Sequence, residues 1–167
     1  MDLIGLYPPA VELTRTFTAE QFSRGLEAWR WLGIDGMEPV FASLFGDVFF
    51  RAPDGFWWLD LLEGSLSHPW ATADALRADL DSSKGQDHYL TGGLAMGADR
   101  RGIVLEAGQV YCFNAPPILG GAINLDNIGV LDFVVALSVA GQLHEQVRKM
   151  PPGTPVTGFS IADDTSR

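Results

Sequence analysis

The hydrophobic positions of this chain change period several times, and each change marks an element. In "TFTAEQFSRGLEAWRWLGI", Phe22, Leu26, Trp29 and Leu32 recur at spacings of three and four, while Arg24, Glu27 and Arg30 fall mostly elsewhere, as on an amphipathic helix. Thr18 followed three residues later by Gln21 has the form of a capping box, and Gly33 closes the pattern, so a helix is predicted over 19–32. From Phe45 the period shortens. "FGDVFFRA", "GFWWLDLL" and "SLSHPW" are short runs rich in aromatic and aliphatic residues, separated by "PDG" and "EG" turn signals, and they predict three antiparallel strands in a meander. Trp57 and Leu59 share one face and Trp58 and Asp60 the other, so either one face of the sheet is wet or helices cover part of both.

Helical spacing returns in "TADALRADLDSS", which starts at Thr72 and puts Ala75, Leu76 and Leu80 on a common side. "DHYLTGGLAMGADRRG" reads as a second, weaker helix broken by glycine. In "GQVYCFN" a strand is expected, with Val110, Cys112 and Asn114 alternating with Tyr111 and Phe113. The stretch "APPILGG" then ends that strand, because proline removes backbone donors and glycine permits a tight turn. Beyond it, Asn124 or Asp126 is expected to cap a long helix reaching about Lys149. Ile128, Leu131, Val135, Ser138, Gln142 and Glu145 would trace one row of that helix, and Val134, Leu137, Gly141 and His144 another. Its first half is apolar nearly all round, its second half amphipathic with cations in the last turn, where they suit the helix dipole. "PPGTPVTGFSI" supplies a stop, a turn and a final strand, and residues after Ala162 read as a loose tail. No internal repeat or low-complexity tract is present, and the turn-rich join from Asp35 to Pro39 is too short to demand two domains.

Composition narrows what such a chain does. The 167 residues, 47% apolar with five tryptophans and ten phenylalanines, suit one packed domain, and the net charge of -10 must therefore sit on the surface. An acidic surface repels phosphates and anionic membranes, which argues against nucleic acid and lipid as direct ligands and favours a basic protein partner. The single cysteine, Cys112, permits no internal disulfide and suits a reducing compartment; among aromatic neighbours and with no basic residue or histidine beside it, a buried free thiol is expected. The N-terminus lacks the basic start of a secretory signal. The longest apolar run, Ile128 to Ala140, falls short of the roughly 20 residues a bilayer requires and contains Asp132, so a cytoplasmic protein with a buried core helix is expected.

Candidate chemistry is sparse. His68, His88 and His144 are scattered with no pair at helical spacing and no cysteine partner, so no metal site is expected. "HEQVR" lacks the second histidine of a zinc protease helix, and "GGLAMGADR" lacks the lysine of a phosphate loop. Asp60 and Glu63 have the residue types of a glycosidase carboxylate pair, but at a strand end and turn they read as solvated groups. His144 beside Gln142 reads as a satisfied structural histidine. Strand tryptophans usually pack a core, yet of the adjacent Trp57 and Trp58 one must face away from the other, which leaves one as a candidate for a partner's pocket.

"FGDVFFRAPDGFWWLDLLEGSL", "GQVYCFNAPPILGG", "NIGVLDFVVALSVAGQLHEQV" and "PPGTPV" together resemble the C-terminal domain of type VI secretion immunity proteins of the Tdi kind. The upstream "LYPPAVELTRTFTAEQFSRGLEAWRWLGI" is similar to the GAD-like segment that accompanies it. The resemblance spans about Leu6 to Phe159, and its most specific part is the proline-proline-x-leucine-glycine-glycine turn with the later "GQLH". It divides a single domain, 1–167, into a GAD-like segment over 1–40, a Tdi-like domain over 41–162 and the tail 163–167. It implies a bacterial cytoplasmic protein that binds and blocks a cognate secreted toxin, in the best-recognised case a DNase, and it offers no catalytic residues to carry over.

The sequence therefore predicts an α+β domain, a mostly antiparallel sheet packed against helices with one long C-terminal core helix. Its expected activity is stoichiometric toxin binding rather than catalysis, with no cofactor and no metal. Candidate partner contacts are Asp54, Trp58, Asp60 and Glu63, taken as acidic and aromatic surface groups. The alternatives are a small-molecule-binding enzyme that uses the carboxylates or glycines, and a regulatory module that binds another cellular protein.

Overall fold

A computed structural model describes residues 12–154 together with Gly158 and Ile161. Over these residues the chain is an α+β fold. A five-stranded antiparallel sheet runs in the order β1 (Thr14–Arg15), β2 (Glu38–Ser43), β3 (Val48–Ala52), β4 (Gly55–Asp60) and β5 (Ser65–Trp70). A separate antiparallel ribbon joins β6 (Gln109–Phe113) to β7 (Ile128–Asp132). The helices are α1 (Ala19–Leu26), α2 (Ala73–Asp81), α3 (Ser83–Leu90), α4 (Gly92–Arg100) and α5 (Phe133–Arg148).

The predicted capping box is complete: Thr18 Oγ1 accepts from the Gln21 N–H at 3.1 Å, and the Gln21 side chain accepts from the Thr18 N–H at 2.8 Å. The helix it starts is α-helical only to Leu26; Glu27–Leu32 tightens into a 3-10 helix that Gly33 ends at φ +78°. The meander β3–β4–β5 stands where the aromatic runs place it, with Phe49 opposite Trp58 and Phe50 opposite Trp57. β2 lies where the sequence reads as a mere join. Its proline hides it: β1 reaches only Ala42 and Ser43, so Pro39 sits where β2 is an edge, beside a register shift between Pro39 and Phe41.

Helices cover part of both faces of the sheet, which settles the open alternative about the tryptophans. On one face Phe41, Phe49, Phe56, Trp58 and Trp70 pack against Leu76 and Leu80 of α2, Leu90 of α3, and Ala95 and Ala98 of α4. Ala75, expected beside Leu76 and Leu80, is exposed instead. On the other face Ala42, Val48, Phe50 and Leu59 pack against Phe22 and Leu26 of α1, Trp29, and Phe133 and Leu137 of α5. The Trp29 indole N–H donates to the Leu137 carbonyl at 2.9 Å, joining the 3-10 segment to α5.

The glycine-broken helix proves to be two, α3 and α4, turning at Thr91, which takes a left-handed φ of +52°. The long C-terminal helix is shorter than predicted. Ile128–Asp132 is strand β7, paired residue for residue with Phe113–Gln109, and the helix N-cap is Asp132, whose carboxylate accepts from the Val135 N–H at 3.2 Å, not Asn124 or Asp126. A short, uniformly apolar run fits a buried strand and a buried helix equally, and the available partner strand decides. Two positions of the predicted helical row, Leu131 and Val135, are accordingly exposed. The predicted final strand and the tail after Ala162 fall largely outside the described residues; Pro151 to Thr154 form a turn closed by a Thr154 N–H to Pro151 carbonyl bond.

Candidate functional site

The four candidate contacts separate into two places. Asp54 and Asp60 lie six positions apart along extended chain, about 20 Å at strand rise. At one end Asp54, exposed in the β3–β4 turn, accepts from the Trp57 indole N–H at 2.9 Å, and Trp57 stacks on His68 with ring centroids 4.6 Å apart. At the other end lie Trp58, Asp60 and Glu63. Trp58 is not the surface group the sequence suggests: it is 8% exposed, roofed by His88 and Tyr89 of α3. The alternation argument fails there because α3 covers the second face. Its indole Nε1 has no hydrogen-bond partner among the described residues.

Asp60 ends β4 and organises the turn beyond it. Its Oδ1 accepts from the N–H groups of Leu62 at 2.9 Å and Glu63 at 3.3 Å, while Oδ2 makes no hydrogen bond among the described residues. Burial is the chief cause that lifts the Asp60 carboxyl above its ordinary range, against those two N–H donors. Glu63 is exposed. Among the described residues no lysine or arginine reaches ion-pair distance of Asp60 or Glu63.

Beside Asp60 sits a group the sequence reading did not single out. Asp47, buried in the β2–β3 turn, takes the Ser43 hydroxyl on Oδ2 at 2.7 Å and the Leu61 N–H on Oδ1 at 2.9 Å. Burial first, and then the Asp60 charge, push its carboxyl up to about 7. The Leu61 carbonyl in turn lies 2.7 Å from Nε2 of His144 on α5, so Nε2 carries the proton and donates it. Burial holds His144 below its usual value and hence neutral, the satisfied structural histidine that the sequence suggests. Leu61 thus ties the buried carboxyl to the C-terminal helix.

These groups form the polar end of a cavity of about 190 Å³ between the sheet, the ribbon and α5. Its walls are mainly apolar: Phe45, Tyr111 and Phe113, then Pro116, Pro117 and Ile118, and Ala140 and Leu143 of α5, with Cys112 among them. The "APPILGG" stretch thereby acquires its role as a wall. Asn127 clips that loop shut, accepting from the Ala115 N–H at 2.9 Å and donating to the carbonyls of Ala115 and Ala122, each at 2.8 Å. Cys112 is half-buried rather than sealed, and burial raises its thiol above the ordinary value. Around the opening, Ile123 and Leu131 line the cavity yet are 54% and 37% exposed.

No pattern in the chain announces this site, because its lining runs from Phe45 to His144. The one local signal is the pair of prolines before an apolar run. Among the described residues no cluster of three histidine, cysteine or carboxylate side chains could hold a metal ion, and no helix is long and apolar enough to cross a membrane.

No family model matches the chain, and no curated protein matches it. Among solved structures, the chain is similar to the crystal structure of Atu4351 from Agrobacterium tumefaciens, with a TM-score of 0.48 and 16% sequence identity. That likeness covers 78% of this chain and 66% of the other, so this chain spans just under two thirds of the neighbour's length.

Proposed function

We propose that this chain is a cytoplasmic immunity protein of the Tdi kind, which binds a basic secreted toxin, a DNase in the leading case, and neutralises it by stoichiometric contact without catalysis. The observation that carries the reading is how the carboxylates are held. Asp60 is fixed by backbone N–H groups, exposed Asp87 by the Gly93 N–H at 3.0 Å, and exposed Asp132 by the Val135 N–H at 3.2 Å. Neutral donors orient these oxygens, and none of the three carboxylates has a salt-bridge partner among the described residues, on a chain whose formal charge is -10. Ordered, uncompensated carboxylates compete well for a basic groove built to hold phosphate, and they accelerate encounter. The sequence resemblance described above supports the same reading.

The test is to mix the protein with the toxin encoded by its neighbouring gene. Equimolar protein is expected to abolish toxin activity through a complex that weakens as salt rises. Undiminished activity with no complex would sink the proposal.

A further inference from the structure

We propose that the cavity beside Asp60 is an anchor pocket for a lysine or arginine side chain of the toxin, with the exposed apolar rim around it forming the surrounding contact. This rests on the immunity reading above and adds the place and chemistry of binding.

Three observations on the site converge. The walls are apolar along most of their length, which suits the hydrocarbon stem of a long basic side chain. The polar end holds a carboxylate oxygen, Oδ2 of Asp60, that makes no hydrogen bond and has no cation within ion-pair distance among the described residues; an incoming guanidinium or ammonium group supplies both. Trp58, packed against His88 and Tyr89, lines the same cavity with an apolar ring. At the opening, Ile123 and Leu131 leave apolar surface in water that a partner would cover, so that the desolvated anchor sits beside neutral contacts.

Charge selects the occupant. An acidic or neutral anchor would leave the Asp60 carboxylate without a close ion partner, whereas a basic one brings an opposite charge beside two carboxyls that burial has lifted. A purely apolar anchor would fill the walls and strand the Asp60 oxygen.

The only cysteine in the sequence makes the pocket testable without altering the fold's core. Cys112 lines the cavity and is half-buried, so N-ethylmaleimide, applied at about pH 8.5 to offset the raised thiol pKa, places a bulky adduct inside. Binding to the catalytically inactivated neighbour-encoded toxin is measured for the unmodified protein, the alkylated protein, and the variants Leu131→Arg and Asp60→Asn, each checked for an unchanged melting transition. Alkylation and Leu131→Arg are each expected to weaken binding by about tenfold or more, and Asp60→Asn to weaken it by about fivefold or more with a shallower salt dependence. Glu38→Gln, which opens the exposed Arg51–Glu38 pair elsewhere on the sheet, is expected to bind within about twofold of the unmodified protein. Bound toxin is also expected to protect Cys112 from alkylation. If the unmodified protein binds and the alkylated, Leu131→Arg and Asp60→Asn forms bind equally well, the pocket is refuted and the immunity reading stands. If the unmodified protein forms no complex, both fall. Should the adduct itself unfold the chain, the exposed Leu131→Arg substitution still decides the matter.

Discussion

Replacing Asp47 by asparagine tests the electrostatics at the heart of this fold. The Asp47 carboxyl is raised from 3.8 to about 7, because burial disfavours its charged form and Asp60 lies close by. The folded protein therefore holds a proton that the unfolded chain releases above about pH 4. Its contribution to stability is complete below pH 3.8, declines as pH rises, and is gone once Asp47 ionises near pH 7. The shift of about 3 units corresponds to roughly 4 kcal/mol across that window. Asparagine keeps the acceptor for the Leu61 N–H but cannot accept the Ser43 hydroxyl proton where Oδ2 stood, a loss of about 1 kcal/mol. Asp47→Asn should thus be less stable than the parent by about 1 kcal/mol near pH 4 and more stable by about 3 kcal/mol near pH 8. Urea unfolding followed by tryptophan fluorescence at several pH values measures the difference. His144 acts with opposite sign, since its lowered pKa gives stability that is present above pH 6.5 and lost as pH falls, but it contributes to parent and variant alike and cancels on subtraction. A stability difference that stays constant from pH 4 to pH 8 would refute the reasoning.

Four further substitutions probe packing, helix capping and backbone strain. A Cβ on Gly141 of α5 would meet the Ala28 carbonyl oxygen at 2.7 Å, so Gly141→Ala should lower stability by about 1–2 kcal/mol despite its better helix propensity, because the clash is with backbone that cannot rotate away; a raised melting temperature would contradict this. Asp132→Ala should destabilise by about 1 kcal/mol through loss of the α5 cap, whereas Asn124→Ala, at the cap the sequence alone suggests, should stay within about 0.5 kcal/mol, and equal effects in chemical denaturation would argue against β7. Thr91→Gly should stabilise by up to about 1 kcal/mol, since a β-branched residue at φ +52° carries strain that outweighs the entropy glycine adds to the unfolded chain; loss of stability on denaturation would show that the Thr91 side chain holds the α3–α4 corner.

What was legible in the chain is what neighbours in sequence decide. Thr18 and Gln21 form a reciprocal cap because three residues bring their groups together, and the "PDG" and "EG" turns fold the aromatic runs into a meander by their own backbone preferences. The α+β class follows from these local signals. The identity of Ile128–Asp132 was not available this way: its apolar run suits helix or strand, and only β6, which pairs Cys112 with Gly129, makes it β7. The fate of Trp58 was likewise undecidable, because alternation gives two faces to a strand but cannot say that α3 covers the second. The candidate site belongs to the same class. Asp47, Asp60, Cys112 and His144 lie far apart in sequence, and the raised pKa of Asp47 exists only because closing the fold removes water from around it. Cap and turn energies act over three or four residues and are written in the chain; burial, strand partnership and cavity shape arise from contacts between distant segments, so they take their values only in the folded molecule.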